Sequence, residues 1–455
     1  MTEGPPPAAT DTTPPPLADK GWLERLLSPV ADVRRGEAAI ALLLMFTMFL
    51  LLGGYYLLKT AREIFILTEG GAEVKSYSSA GQALMLVVLV PIYGAFASRV
   101  SRMQLVQWVT LFFAGNLVLF MLALGAGFKI GIAFFLWLGI FNVMVVAQFW
   151  AFAADLLTEE QGKRLFPLIG VGSSLGAWIG SVRAGQLMSV GAWRLLAGGA
   201  ACLVVCVVLA RLADRQTVRA APARSDDAQK KLSGGRSGFA MLFGDRYLLL
   251  IAALVVLLNV VNTSGEYLFG RYVVSTAEAM YGAGAQGDAA RQQFVGEVYS
   301  SYFSTISLVG FLLQLFVVSR VFKFLGVGRS LFIHPIVALV SYLMMLRAPS
   351  FEAIRTLKIA DNAINYSLGN TTMQALWLPT SRETKYKAKQ AVDSFCARAG
   401  DVLQAGIVYT GELTALSITG FAALNVVFVF GWLGVVVGLK RRLQARSRDA
   451  GAAEL

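Results

Sequence analysis

A series of apolar stretches, each about 20 residues long and separated by short polar segments, constrains this chain most. A helix of about 20 apolar residues spans the hydrocarbon core of a bilayer. Because backbone in lipid must satisfy its own polar groups, and because the stretches are continuous rather than alternating, they predict helices and not barrel strands. Only 15% of the 455 residues are charged and 56% are apolar, which disfavours a soluble enzyme, a nucleic-acid-binding protein and a secreted disulfide-rich domain.

The stretches predict an all-α membrane protein with twelve transmembrane helices in two six-helix halves. The first six spans are predicted near 37–58, 77–97, 104–124, 128–153, 165–189 and 195–212. The second six are predicted near 247–270, 295–319, 327–347, 352–378, 388–411 and 416–438. The domains that follow are a disordered cytosolic tail (1–36), an N-terminal half (37–212), a cytosolic linker (213–246), a C-terminal half (247–440) and a cytosolic tail (441–455).

The formal charge of +12, from 40 Lys and Arg against 28 Asp and Glu, is read first as an orientation signal. Most of the basic residues fall in the two terminal segments and in every second loop. Both termini are therefore predicted to be cytosolic, in a bacterial inner membrane, and no nucleic-acid partner is expected. The three cysteines lie in apolar runs without metal-ligand spacing, so neither a metal nor another cofactor is predicted.

Two pairs of similar short segments favour an internal duplication of the six-helix half. The first-span segment 54–58 (GYYLL) resembles 265–269 (GEYLF), and Thr158 with Lys163 five residues on returns as Thr380 with Lys385. Two six-helix halves related by an axis along the membrane normal are the arrangement of the major facilitator fold, which works by rocking around a midplane cavity.

Ionisable residues inside the predicted spans nominate the site, because each costs about 2.5–3.5 kcal/mol in a lone helix and is retained where it faces water or a partner. They are Lys59, Arg62, Glu63, Asp155, Arg183, Glu266, Arg271, Asp361, Asp393, Arg398 and Asp401. Lys59 and Arg62 lie three residues apart and share a helical face. Fixed positive charge in a cavity predicts an anionic substrate.

The first-span group has a structural alternative. Lys59, Arg62 and Glu63 could extend to the interface or pair with one another. Tyr55 and Tyr56, just before them, could line a cavity and stack on a flat ligand, or belong to an aromatic belt.

The second half offers a carboxylate and a polar span. Glu266 is predicted to bind substrate, with a buried structural carboxylate as the alternative. Asp361 stands with Asn362, Asn365 and Asn370 in one span, which is too polar for lipid exposure. We predict Asn365 as a substrate contact. The predicted gate or coupling residues are Glu63, Asp155, Arg271, Asp361 and Asp393.

The glycines of the fifth span indicate helix packing and not phosphate binding. Gly172, Gly176 and Gly180 recur every four residues, a small-residue stripe for close helix contact. The chain shows neither a Walker lysine motif nor a dinucleotide fingerprint, so gradients or exchange are predicted to supply the energy. His334 is interpreted as structural.

Four segments carry a resemblance to a known family. They are 58–63 (LKTARE), 69–73 (EGGAE), 149–170 (FWAFAAD through KRLFPLIG) and 383–393 (ETKYKAKQAVD). In order and span placement, from about 37 to 440, they resemble the ATP/ADP translocase family of plastids and intracellular bacteria, including its bacterial relatives of unassigned substrate.

The resemblance implies site residues. Charged residues of the family's first, seventh and eleventh helices are associated with transport, which implicates Arg62, Glu266, and Lys387 or Lys389. Lys and Arg give charge-assisted hydrogen bonds to phosphate oxygens.

The sequence thus predicts a monomeric carrier, not an enzyme, that exchanges a phosphorylated anion, such as ATP for ADP, by alternating access. Lys59, Arg62 and Lys389 would hold phosphates, and Glu266 and Asp155 would form gate ion pairs or take protons. A proton-coupled exporter of organic solutes is the first alternative. A membrane anchor or sensor would need an output domain, and a membrane enzyme would need a catalytic cluster; the chain offers neither.

Overall fold

The computed structural model describes residues 33–34, 36–97, 99–188, 191–218, 238–282, 284–347, 350–381, 384, 388–389 and 391–453. The N-terminal half consists of α1 (Ala38–Ala97), α2 (Arg102–Gly125), α3 (Gly131–Leu156), α4 (Glu159–Met188) and α5 (Trp193–Val218). The C-terminal half consists of α6 (Gly238–Gly244), α7 (Arg246–Tyr281), α8 (Asp288–Phe316), α9 (Val318–Ser330), α10 (Ile333–Met345), α11 (Phe351–Ile364), α12 (Asn370–Ala375), α13 (Ala397–Leu413) and α14 (Ile418–Ala453). The tail 1–32 and linker residues 219–237 lie outside the described residues.

Helix α1 runs up and back through the molecule. It is 60 residues long, which would be about 90 Å if straight. Gly71 interrupts it with φ 74°, a left-handed conformation that favours glycine. Lys75 Nζ lies 2.7 Å from Glu63 Oε2, although residues twelve apart on a straight helix would be about 18 Å apart. The two predicted spans 37–58 and 77–97 therefore lie in two helical segments of α1, one on each side of the break at Gly71, and the segment predicted as a loop between them is itself largely helical.

The described residues contain eight helices long and apolar enough to cross a membrane, or nine if the bent pair α9 and α10 is one span. The chain is a multi-pass membrane protein. That count takes α1 once, although it holds two predicted spans, and omits α11–α12 and α13, which cover the predicted spans 352–378 and 388–411. The total of twelve agrees with this arrangement and stays a prediction.

The glycine stripe of α4 packs against the first part of α1, as predicted. A Cβ atom at Gly172, Gly176 or Gly180 would collide with the backbone oxygen of Met45, Phe49 or Gly53, respectively. The two backbones can approach this closely only because no side chain separates them.

Two breaks shape the C-terminal half. Helices α9 and α10 meet at 76°, and Gly326 inside α9 has a φ of 69°. The predicted span 327–347 is therefore a short helix α10 preceded by a helix in another direction. Helices α11 and α12 are joined by a π-helical turn, Asn365–Gly369, and a second such turn, Val392–Cys396, leads into α13.

The halves meet toward one face of the molecule. We call the face where α5 ends at Val218 and α7 begins at Arg246 the linker face, and the opposite one the far face. Toward the far face, Ser300 of α8 donates a 2.7 Å hydrogen bond to the carbonyl of Ser181 of α4. Pairing of the halves there leaves a cavity between them near the middle of the helices.

Candidate functional site

The cavity between the halves has a volume of about 170 Å³. Its charged lining residues are Lys59, Arg62 and Lys75 from α1 and Glu266 from α7. Its uncharged polar lining includes Ser76, Ser79, Gln82, Thr263, Asn362 and Gln404. Gln404 Nε2 donates to Ser76 Oγ across the halves at 3.3 Å. Three cationic side chains against one carboxylate give the lining a positive excess.

A buried carboxylate stands behind two of these cations. Glu63, 1% exposed, pairs with Arg62 and with Lys75. The Arg62 guanidinium also lies 4.7 Å from the ring centroid of Phe135. One acid shared by two bases cannot cancel both charges, so this part of the wall keeps a net positive charge.

Lys59 is held by aromatic rings. Its Nζ lies 4.1 Å from the ring centroid of Phe303, 5.1 Å from that of Tyr56 and 6.0 Å from that of Tyr366. No ion pair to Lys59 occurs among the described residues. Cation–π contacts of this kind are worth about 0.5–2 kcal/mol. Because Tyr56 is in the N-terminal half and the other two rings are in the C-terminal half, Lys59 bridges the halves.

Glu266 forms the opposite wall. Its Oε1 accepts hydrogen bonds from Tyr302 Oη at 2.9 Å and from Asn362 Nδ2 at 2.8 Å. Lys358 Nζ lies 3.8 Å from the same oxygen. Gly265 allows this approach, because a Cβ there would lie 2.7 Å from Lys358 Nζ.

Behind Glu266 is a buried ion cluster. Lys358 Nζ, on a side chain 1% exposed, pairs with Asp361 Oδ2 at 3.0 Å. Asp361 Oδ1 lies 3.3 Å from His334 Nε2. Asp361 therefore lies behind the cavity lining, and His334 is part of a packed polar cluster.

An ion-pair group stands on the far-face side of the cavity. Arg271 of α7 contacts Glu412 of α13 at 2.8 Å and Glu73 of α1 at 3.4 Å. Tyr267 Oη donates to Glu412 at 2.8 Å. The contact between Arg271 and Glu73 joins the two halves, and the role of Arg271 as a gate residue stays a prediction.

At the linker face, ion pairs fasten the start of α1 to the start of α4. Arg164 donates to both carboxylate oxygens of Glu37, at 2.9 and 2.8 Å. Burial raises the pKa of Glu37, but the hydrogen bonds from Arg164, the Arg34 backbone and Gln161 outweigh it, so this pKa is lowered from 4.5. These contacts stay within the N-terminal half.

Other predicted site residues lie elsewhere. Tyr55 stacks on Phe141 at 6.4 Å beside the cavity. Asn365 is buried within its π-helical turn and Asp155 is exposed at the end of α3. Asp393 is exposed, and Lys389 donates to Gln374 at 2.6 Å near the linker face. Lys387 lies outside the described residues.

Lys75 and Lys358 are not among the site residues that the sequence predicts. Lys75 falls in the predicted connection between the first two spans, and the fold-back at Gly71 brings it to the cavity. Lys358 precedes Asp361 by three residues, a spacing that places both on one helix face and could have signalled the pair.

Comparisons with known proteins address fold and family. No family model matches the chain. The structure of the nucleoside transporter NupG has a TM-score of 0.60 at 13% identity, covering 88% of this chain and 98% of that one. This likeness concerns the fold, and it confirms the prediction of a helical membrane protein of the major facilitator type. Fold and cavity together define a multi-pass membrane protein whose two helical halves enclose a central cavity.

Sequence comparison with curated proteins indicates which family the chain resembles. ADP,ATP carrier protein 1 of Chlamydia muridarum is 23% identical over 356 residues, covering 67% of this chain and 64% of that protein. The plastidic ATP/ADP-transporter of Solanum tuberosum is 22% identical over 340 residues, covering 66% of this chain and 51% of that protein. The resemblance to the ATP/ADP translocase family is confirmed. The chain spans less than two thirds of the length of these relatives.

Proposed function

We propose that this protein transports a phosphorylated anion, most simply a nucleotide such as ATP or ADP, across a bacterial inner membrane by exchange. The positive lining of the cavity between the halves carries the proposal. Phosphate oxygens accept charge-assisted hydrogen bonds from Lys and Arg, and Arg62 can offer two in parallel. The relatives named as ADP,ATP carriers support the nucleotide.

The two walls of the cavity suit a ligand that has an anionic end and an uncharged polar end. The cationic wall of Lys59, Arg62 and Lys75 would take phosphates. The wall formed by Glu266 and Asn362 accepts and donates hydrogen bonds, as the edge of a nucleobase requires. Tyr366, 46% exposed on the cavity wall, provides a ring for stacking.

Lys59 supports exchange over one-way transport. The Lys59 ammonium bridges the halves through rings, and this arrangement is worth less than a charge-assisted contact with phosphate. An anion in the cavity would draw Lys59 away from Phe303 and Tyr366 and release that bridge. Reorientation would then be faster with ligand bound than without it, which is the kinetic condition for exchange.

The cavity must enlarge to hold a nucleotide. Small-molecule pockets usually measure about 300–1,000 Å³, and this one measures about 170 Å³. Because the inter-half contacts of Arg271 and Ser300 close the far-face side, we infer that the halves part on the linker face. Positive charge at the termini supports a cytosolic linker face. The site is built within one chain, which is compatible with a monomer.

The test is uptake of labelled ATP and ADP into proteoliposomes, with or without nucleotide inside. We expect uptake to require internal nucleotide. It should fall about 10- to 100-fold in Arg62→Ala and in Lys59→Ala, because each loses a contact with a charged group worth about 1.5–3 kcal/mol. Lys129→Ala is the matched control, because Lys129 is exposed in the loop before α3.

Other outcomes would contradict the proposal. Uptake that ignores internal solute but collapses with an uncoupler would favour the proton-coupled exporter. Uptake that is equal in Arg62→Ala and Lys129→Ala would show that the cavity does not take part in transport.

A further inference from the structure

A groove at the linker face of the C-terminal half lies outside the central cavity. Its volume is about 750 Å³, and it lies between the end of α9, the end of α12 and the last part of α14. Arg329, Leu378, Lys440 and Leu443 are among the residues that line it. We propose that this groove binds an anionic phospholipid of the adjoining leaflet.

The groove sits at the depth of lipid headgroups. The apolar run of α14 ends at Leu439 and is followed at once by Lys440, Arg441 and Arg442, the pattern of a membrane boundary. Helix α9 turns away from α10 by 76° and exposes Phe324 (74%) beside basic residues. An amphipathic helix of this kind lies along the interface with its apolar side chains in the acyl region.

The lining combines charge with apolar walls. Arg329 and Lys440 come from different helices and supply two cations, and no acidic residue is among the described residues that line the groove. Lys440 Nζ also lies 5.7 Å from the ring of Phe332, which orients its side chain. Leu378 and Leu443 offer apolar surface. Basic pockets between helices at the cytoplasmic side of a membrane suit anionic headgroups.

The charge of the groove favours a phospholipid over a segment of this chain as the bound group. The linker segment 219–237 carries more basic than acidic residues, so Arg329 and Lys440 would repel it. A phospholipid supplies both the phosphate for the cations and the acyl chains for the leucines. Free phosphate would use only the first.

Native mass spectrometry of the full-length protein, delipidated in detergent and titrated with phosphatidylglycerol, tests the proposal. We expect one tight phosphatidylglycerol in the wild type. The variant Arg329→Gln/Lys440→Gln should bind it about 30-fold more weakly, since each basic residue near a membrane surface contributes about 1 kcal/mol. The matched control is Arg441→Gln/Arg442→Gln, which loses the same charge from exposed positions beside the groove; its binding should change less than about threefold.

Each alternative result overturns the proposal. Equal loss in both double variants would mean general interfacial attraction, and no loss in either would mean the groove is not the site. Equal binding of phosphatidylcholine would mean an apolar groove without headgroup selection. Displacement by inorganic phosphate alone would identify a free-phosphate site. If the double variant does not fold, Arg329→Gln, whose side chain is exposed, should still weaken binding about fivefold.

Discussion

Lys358 illustrates how single residues determine the stability of the C-terminal half. It is the one cation within 4 Å of both Glu266 and Asp361 among the described residues. Breaking a buried ion pair leaves an uncompensated charge, which costs more than removing both partners. A double-mutant cycle on Lys358 and Asp361 therefore tests how the buried charges affect stability.

Lys358→Met should destabilise the protein by about 3–5 kcal/mol, because Asp361 would remain buried beside a second carboxylate. Lys358→Met/Asp361→Asn should recover a large part of the loss. Thermal unfolding in detergent, followed by tryptophan fluorescence, measures both. The exposed Lys129→Met serves as control. A double variant no more stable than the single one would show that Lys358 acts through packing rather than charge.

A second residue-scale prediction concerns pH. The pKa of Glu37 is lowered from 4.5 in the folded state. Its ion pair with Arg164 therefore stabilises the folded protein above pH 4.5, and this stabilisation is lost as the pH falls through the folded-state pKa of Glu37. Glu37→Gln should therefore melt below the wild type at pH 7. The two curves should converge in more acidic buffer. A constant difference from pH 7 down to pH 3 would mean that the carboxylate charge is not what Arg164 recognises.

At the scale of elements, close backbone packing of α1 and α4 depends on the absence of side chains. Gly176→Ala would place a Cβ against the Phe49 carbonyl, with rigid backbone as the obstacle. We expect a loss of about 1–3 kcal/mol, typical of overpacking. Gly170→Ala, in the same helix with nothing within 4 Å of the added Cβ, should be neutral or stabilising, since alanine favours helix by about 0.5–1 kcal/mol. The reverse order in thermal melts would refute this account of the interface.

The elements also separate what the sequence could predict from what it could not. Span positions were predictable because an apolar run of bilayer length has one favourable arrangement in lipid. The glycine stripe was predictable from its four-residue spacing. The fold-back at Gly71 was not predictable, because the charged segment around it has the composition of a loop; in the structure Lys75 and Glu63 pair across the break.

The candidate site was predictable only in part. Lys59, Arg62 and Glu266 stood out because charge is costly in a span. Tyr302 and Phe303 did not, because an aromatic residue in a helix has the same composition signal whether it faces a core or a cavity. Which residues of α8 meet Lys59 depends on how the two halves dock, and no local pattern encodes that.

At the scale of the whole molecule, contacts between the halves are concentrated toward the far face. Glu73 contributes the ion pair with Arg271 across the halves, while the contact of Arg271 with Glu412 stays within the C-terminal half. Removing the Glu73 charge should loosen closure of the far face without dismantling either half. Alternating access then predicts a change in which side of the membrane reaches the cavity.

Ser79→Cys, on the cavity wall, reports this accessibility in a background where Cys202, Cys206 and Cys396 are alanine. In oriented membrane vesicles, a membrane-impermeant maleimide should modify it mainly from the linker face. Adding Glu73→Gln should increase modification from the far face several-fold, because the population of far-face-open molecules rises. Glu352→Gln is the matched control, since Glu352 is 71% exposed at the start of α11 and pairs within its own helix. Labelling from the far face that is equal in Glu73→Gln and Glu352→Gln would show that this ion pair does not hold the halves together.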